Sequence, residues 1–275
     1  MARGLFSCFP KRTSSTSSLP SNKPNPSATS DTTPDDSKGP GPVVVELFLS
    51  QGCSTSTEAE LLFSRLGRGD FNLEVGVILM GYHVDYWDYN GWKDVFGSSQ
   101  WTVRQKDYVE SLCLDTMFTP QVVVQGRSQC IGNDEDALIS EIVNAPKYPA
   151  PAFQATFERT IPEILQVSLK GALRAKVDGQ GADIMVALCE SGLVTNCQNG
   201  VNKDRILAND FVVRKLMKLC SINKDHPPKK TLTGTLDFGL WQGFNGSKCC
   251  IVIFVQQYGT HHIFGSQRIQ LPANL

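Results

Sequence analysis

The sequence has no apolar run long enough to span a bilayer; its longest, Cys249–Val255, has the length of one buried strand. It has no excess of either charge, with 26 Lys+Arg against 27 Asp+Glu, so the concentrated basic face that nucleic acid requires is not expected. A Gly-rich phosphate loop is missing, and the serines lack a nucleophile-elbow context. No secretory apolar region follows Met1, because Gly4–Pro10 is too short and already contains Cys8. Regular cysteine spacing is missing too. The nine cysteines (8, 53, 113, 130, 189, 197, 220, 249 and 250) are odd in number, irregularly placed and partly within apolar runs. That pattern argues against a secreted disulfide framework and for free thiols in a reducing compartment. Cys249-Cys250 with His261-His262 suggests zinc, but neighbours on a strand point to opposite faces, so each pair offers one inward group at most. Cys189 and Cys197 lack the spacing of a zinc knuckle, and no metal site is expected.

What is present divides into three stretches. Residues 1–41 are rich in Ser, Thr, Pro and Gly and read as a disordered leader. Its Arg3, Lys11, Arg12 and Lys23 precede the first acid, Asp31, which is also how an organelle transit peptide begins. A cytoplasmic location is favoured, with a chloroplast or other organelle as the alternative.

Residues 42–146 form the second stretch. Val43–Leu49 (VVVELFL) has one polar residue, Glu46, and reads as a strand buried on both faces. Thr57–Leu66 reads as a helix with Ala59, Leu62, Phe63 and Leu66 inward and Glu58, Glu60 and Arg65 outward. A strand is expected over Leu73–Met80, then a long aromatic loop, then a helix over Ser99–Leu112. Gln121–Gln125 and Ser128–Ile131 read as a hairpin turned by Gly126-Arg127. Asn133-Asp134 caps a last helix ending at Asn144. The order β-α-β-α-β-β-α is that of an α/β thioredoxin-like domain. Prolines 146, 149 and 151 mark a linker, and the strand-rich residues 150–272 read as an antiparallel β-sandwich domain.

Several strings resemble one family: VELFLSQGCS at Val45–Ser54, HVDYWDYNGWKD at His83–Asp94, RQ at Arg104-Gln105, TPQVVVQG at Thr119–Gly126 and NDFVVRKL at Asn209–Leu216. They are similar to a bacterial and plant group, domain-of-unknown-function family 1223, placed among thioredoxin-like proteins. Its members typically carry C-S-S-C at the start of the first helix. This chain has Cys53-Ser54-Thr55-Ser56, a C-x-x-S pattern like that of monothiol relatives of glutaredoxin and thioredoxin. The resemblance also implies that Thr119-Pro120 carries a cis-proline facing the cysteine.

Cys53 is therefore the candidate nucleophile, because a helix N-terminus favours the thiolate, the attacking species in disulfide exchange. Ser56 cannot expel a product as a second cysteine would, but its hydroxyl can support the sulfur anion. Turnover would then need an external thiol, with glutathione as co-substrate, or another cysteine, with Cys113 and Cys130 as candidates. Thr119, Pro120, His83, Asp85, Trp87 and Arg104 are candidate substrate-binding residues, with Arg104 free to meet Asp85, Asp94 or a ligand carboxylate. The expected partner is a protein or low-molecular-weight thiol or disulfide. The alternative is a non-catalytic protein-interaction module. Oligomeric state and substrate are not legible.

Overall fold

The computed structural model describes residues 39–177 and 179–275, so the leader expected at 1–41 lies almost wholly outside the described residues. From Val43 the chain forms β1 (Val43–Leu49), α1 (Ser56–Arg68), β2 (Val77–His83), α2 (Ser99–Ser111), β3 (Gln121–Val124), β4 (Ser128–Ile131) and α3 (Glu135–Asn144). It continues as β5 (Ala152–Ile161), β6 (Ile164–Ala172), β7 (Ala182–Glu190), β8 (Leu193–Asn196), β9 (Ile206–Asn209), β10 (Val212–Ile222), β11 (Thr231–Gly239), β12 (Cys249–Gln257) and β13 (Ile263–Gln270). Within the stretch read as strand-rich, Leu173–Val177 forms no strand, while β9 was not anticipated.

The expectation of an α/β thioredoxin-like domain followed by a separate β-sandwich is overturned. Among the described residues the fold is mostly β, with three α-helices and one mixed eight-stranded sheet ordered β13-β12-β7-β10-β2-β1-β3-β4. The strands assigned to a sandwich thus continue the sheet that β1–β4 begin. The joint is short: β10 runs parallel to β2 with Val212 opposite Gly81, and the Gly81 N–H donates to the Phe211 carbonyl at 2.8 Å. The physical reason is that β2 would otherwise leave an apolar edge unpaired, and β10 covers it. A three-stranded sheet, β11-β6-β5, and the two-stranded hairpin β8-β9 complete the fold.

Three apolar clusters hold these layers. One face of β1–β3 packs on α1 and α3 through Val45, Leu47, Phe63, Val122, Leu138 and Ile142. The three-stranded sheet covers the outer face of β7 and β12, with Leu165, Val167 and Phe238 against Ile184, Val186 and Ile253. The remaining cluster joins the two ends of the long sheet, bringing Phe48, Met80 and Tyr82 together with Trp101 and Tyr108 of α2 and with Ala187, Val252 and Phe254. Buried strands on both faces explain why VVVELFL and CCIVIFV carry almost no polar alternation.

Glu46 interrupts that pattern because it is fully buried opposite a cation. Arg104 of α2 donates to it from Nε (2.9 Å) and Nη2 (2.6 Å), the Tyr108 hydroxyl donates to its other oxygen, and Gln256 of β12 donates to Tyr108 at 3.0 Å. This network crosses the sheet joint. A second crossing is the β3–β4 turn, where Gly126 sits at φ 65° and an added Cβ would lie 2.1 Å from the His261 carbonyl oxygen. Gly126→Ala is therefore expected to destabilise the chain by roughly 3 kcal/mol, read as a lower urea midpoint at unchanged m.

Candidate functional site

The loop Ser50–Thr55 carries the chain from the end of β1 into α1. Its Cys53 is buried, with 7% of its surface exposed, between exposed Ser54 and Thr55 and the aromatic loop. Its sulfur lies 3.3 Å from Thr55 Oγ1 and, as a thiol, donates to the Thr119 carbonyl at 3.6 Å. The Thr119-Pro120 peptide bond is cis. Trp87 donates its indole N–H to the Thr119 hydroxyl at 2.7 Å, which leaves that hydroxyl's own proton for the sulfur. Ser56, itself buried, accepts from the Ser50 N–H at 3.2 Å and likewise faces the sulfur with its proton. Burial pushes the Cys53 thiol up, but hydrogen bonds from Ser56, Thr119 and Thr55 outweigh it, and the net shift is downward.

The loop itself is held from the far half of the chain. Gln51 Nε2 donates to Thr195 Oγ1 (2.9 Å) on β8 and to Asn209 Oδ1 (2.8 Å) on β9. Asn202, between those strands, donates to the carbonyls of Gln51 (2.9 Å) and Cys53 (3.2 Å). Trp92 Nε1 donates to Gln51 Oε1 at 3.1 Å, and the Gln51 N–H donates to Asp94 at 2.7 Å. The β8–β9 hairpin therefore straps the cysteine loop down.

Beneath the strap lies a buried charged group. His83 Nδ1 is 2.8 Å from Asp94 Oδ2, its Nε2 is 3.9 Å from Glu60 Oε1, and Asn209 donates to the same Glu60 oxygen. Burial would lower His83, but Asp94 and then Glu60 raise it above its ordinary value. Glu60 was expected to face solvent; instead it is 6% exposed, because the strap covers that side of α1. Burial pushes its carboxyl up to about 7, against the pull of His83 and Asn209, with Asp94 and Asp210 adding to the rise. It lines a cavity of about 310 Å³ between α1 and β9, with Ser64, Arg68, Arg205 and Asp210.

Of the residues singled out from sequence, Cys53, Ser56, Thr119, Pro120 and Trp87 are brought together. His83 belongs to the buried group instead. Asp85 accepts from Thr102 Oγ1 of α2 at 2.6 Å. Arg104 is engaged by Glu46, away from the cysteine. Cys130 is raised to about 12, by burial first and then by Glu141 and Asp134, as suits an inert thiol. Cys113 is exposed. Gln51, Asn202, Asn209 and Glu60 were missed; the available signals were Gln51, inside the VELFLSQGCS string, and Asn209, which opens the NDFVVRKL string. Among the described residues no group of three His, Cys, Asp or Glu is placed to hold a metal ion, and no helix is long and apolar enough to cross a membrane.

Fold and site together define a β-rich mixed-sheet protein with a hydrogen-bonded cysteine at a helix entrance. The chain belongs to the family described as Protein of unknown function (DUF1223), whose model matches residues 44–256. It is similar in structure to a protein from Agrobacterium tumefaciens at 19% identity and a TM-score of 0.56, over 84% of this chain and 95% of that one. It is also similar to HBP35 of Porphyromonas gingivalis at 13% identity and a TM-score of 0.60, over 84% of this chain and 76% of that one. At these identities the likeness concerns the fold alone. No curated protein matches significantly.

The buried Glu60 has a measurable consequence. Its folded value near 7 lies above the ordinary 4.5, so the folded state binds the extra proton between those values. Stability therefore falls as pH rises through that window, by about 3 kcal/mol in all. Glu60→Gln is expected to flatten this slope and to be the more stable protein above about pH 7, in urea titrations at a series of pH values.

Proposed function

We propose that this protein is a monothiol that exchanges with disulfides through Cys53. The observation that carries the reading is the convergence of the Thr55, Ser56 and Thr119 hydroxyls on one sulfur at a helix entrance. The Cys53 thiolate attacks one sulfur of a disulfide, a mixed disulfide forms, and the other sulfur leaves as a thiolate. Ser56 has no thiol with which to break that intermediate, so a second, external thiol of the glutathione class attacks it and restores Cys53. The substrate is then a protein or low-molecular-weight disulfide approaching over exposed Ser54 and Thr55, beside Trp87 and Tyr89, which stack with centroids 6.4 Å apart. Eight described cysteines, all free, support a reducing intracellular compartment for this chemistry.

The test is the rate of alkylation as a function of pH, with Cys53→Ser as control. A midpoint well below the free-cysteine value of about 8.5 is expected; a sulfur that titrates normally or does not react would favour the non-catalytic interaction module. Ser56→Cys should add a resolving thiol and confer dithiol reductase activity on an insulin-type substrate. Absence of any gain would argue against the geometry assigned to position 56.

A further inference from the structure

A second pair of thiols lies away from the cysteine loop. Cys189 of β7 and Cys250 of β12 stand directly opposite each other in the antiparallel register. Both contribute to the cluster that contains Ala187, Val252 and Phe254, whereas Cys249 belongs to the cluster on the other face. Facing residues in such a ladder have Cα atoms roughly 4.5–5.5 Å apart, within the roughly 4.4–6.8 Å that a disulfide spans. Both are free thiols, and they are within hydrogen-bonding reach of each other. Each strand is paired on both sides, β12 by β7 and β13 and β7 by β12 and β10, so the two sulfurs meet on a rigid frame.

The sulfurs are not equivalent. The hydrogen bond they share holds Cys250 below and Cys189 above the usual thiol range, with burial adding to the rise at Cys189. The Arg268 guanidinium on β13, whose residue pairs with Val252, adds to the lowering at Cys250. Cys250 and Arg268 also line an opening of about 60 Å³, with Leu66, Leu79 and Phe211 at its walls. A water molecule needs roughly 10–15 Å³ of such space. The opening therefore admits a molecule of a few heavy atoms and excludes a peptide disulfide.

We propose that Cys189 and Cys250 are a second redox site, a cross-strand dithiol oxidised by hydrogen peroxide. The Cys250 thiolate attacks one peroxide oxygen, the O–O bond breaks, and Cys250 becomes a sulfenic acid while the departing hydroxide takes up a proton as water. The Cys189 sulfur then displaces the hydroxyl from Cys250, the S–S bond forms, and the hydroxide leaves with the Cys189 proton as a second water. Two thiols lose two electrons and two protons, and one peroxide becomes two waters. The site does not depend on Cys53.

The experiment treats the reduced full chain, carrying Cys53→Ser to silence the first thiol, with hydrogen peroxide and maps its disulfides by peptide mass spectrometry. The expected product links Cys189 to Cys250, with fragment ions assigning the bond to position 250 rather than 249. Cys189→Ala should leave a sulfenic acid at Cys250 that dimedone captures. Arg268 is exposed, so Arg268→Gln should fold normally and slow the reaction by on the order of tenfold, the change in thiolate fraction that one pKa unit makes. Glutathione disulfide should react at least tenfold more slowly than peroxide. A bond between any other cysteines, a sulfenic acid elsewhere, or equal rates with peroxide and glutathione disulfide would overturn the proposal.

Discussion

The structure turns on one side chain, Gln51, whose amide is hydrogen-bonded to a strand hairpin more than a hundred residues away in sequence. A loop between a strand and a helix is ordinarily the freest part of a sheet protein. Here its amide and carbonyl groups are taken up by Asp94, Asn202, Thr195 and Asn209, so the position of Cys53 is set by the C-terminal half as much as by β1 and α1. The family match over residues 44–256 takes in both halves of that arrangement.

The polar groups under the strap have a physical logic of their own. Buried charge persists where partners compensate it. His83 is flanked by Asp94 and Glu60, and the Glu46 carboxylate is neutralised by Arg104 and hydrogen-bonded by Tyr108. Each set ties elements far apart in sequence, so each has more to do with which strands meet than with how strongly they bind. The sulfur of Cys53 differs from both in having an exposed rim at Ser54 and Thr55.

Much of the local structure is legible in the residues. The buried strand at Val43–Leu49, the Asp134 cap and the hairpin at Gly126 follow from periodicity and turn chemistry, while α1 runs past its expected end at Leu66 to left-handed Gly69. The lone Glu46 in an apolar strand even signals the need for a buried cation, though not that Arg104 supplies it. What periodicity cannot carry is long-range pairing. Val212 meeting Gly81 joins the strands of both expected halves in one sheet; a glycine inside a strand marks room for another backbone, but not which segment of the chain fills it. Glu60 illustrates the same limit: helical spacing puts it on the charged side of α1, and only the hairpin laid across that side buries it. Cys189 and Cys250 are likewise unremarkable by spacing and meet only through register.

The brevity of the β2–β10 joint shapes more than topology. Along β7, β10 slips register between Val213 and Lys215 and again between Lys218 and Cys220. Such bulges sharpen the right-handed twist of a strand. Beyond Val212 it therefore veers from β2 and leaves a wedge where a flat sheet would have continued its ladder. Leu79 stands on one side of that wedge and Cys250 and Val252 on the other. The coil of the sheet thus leaves room for the opening that Cys250 and Arg268 line.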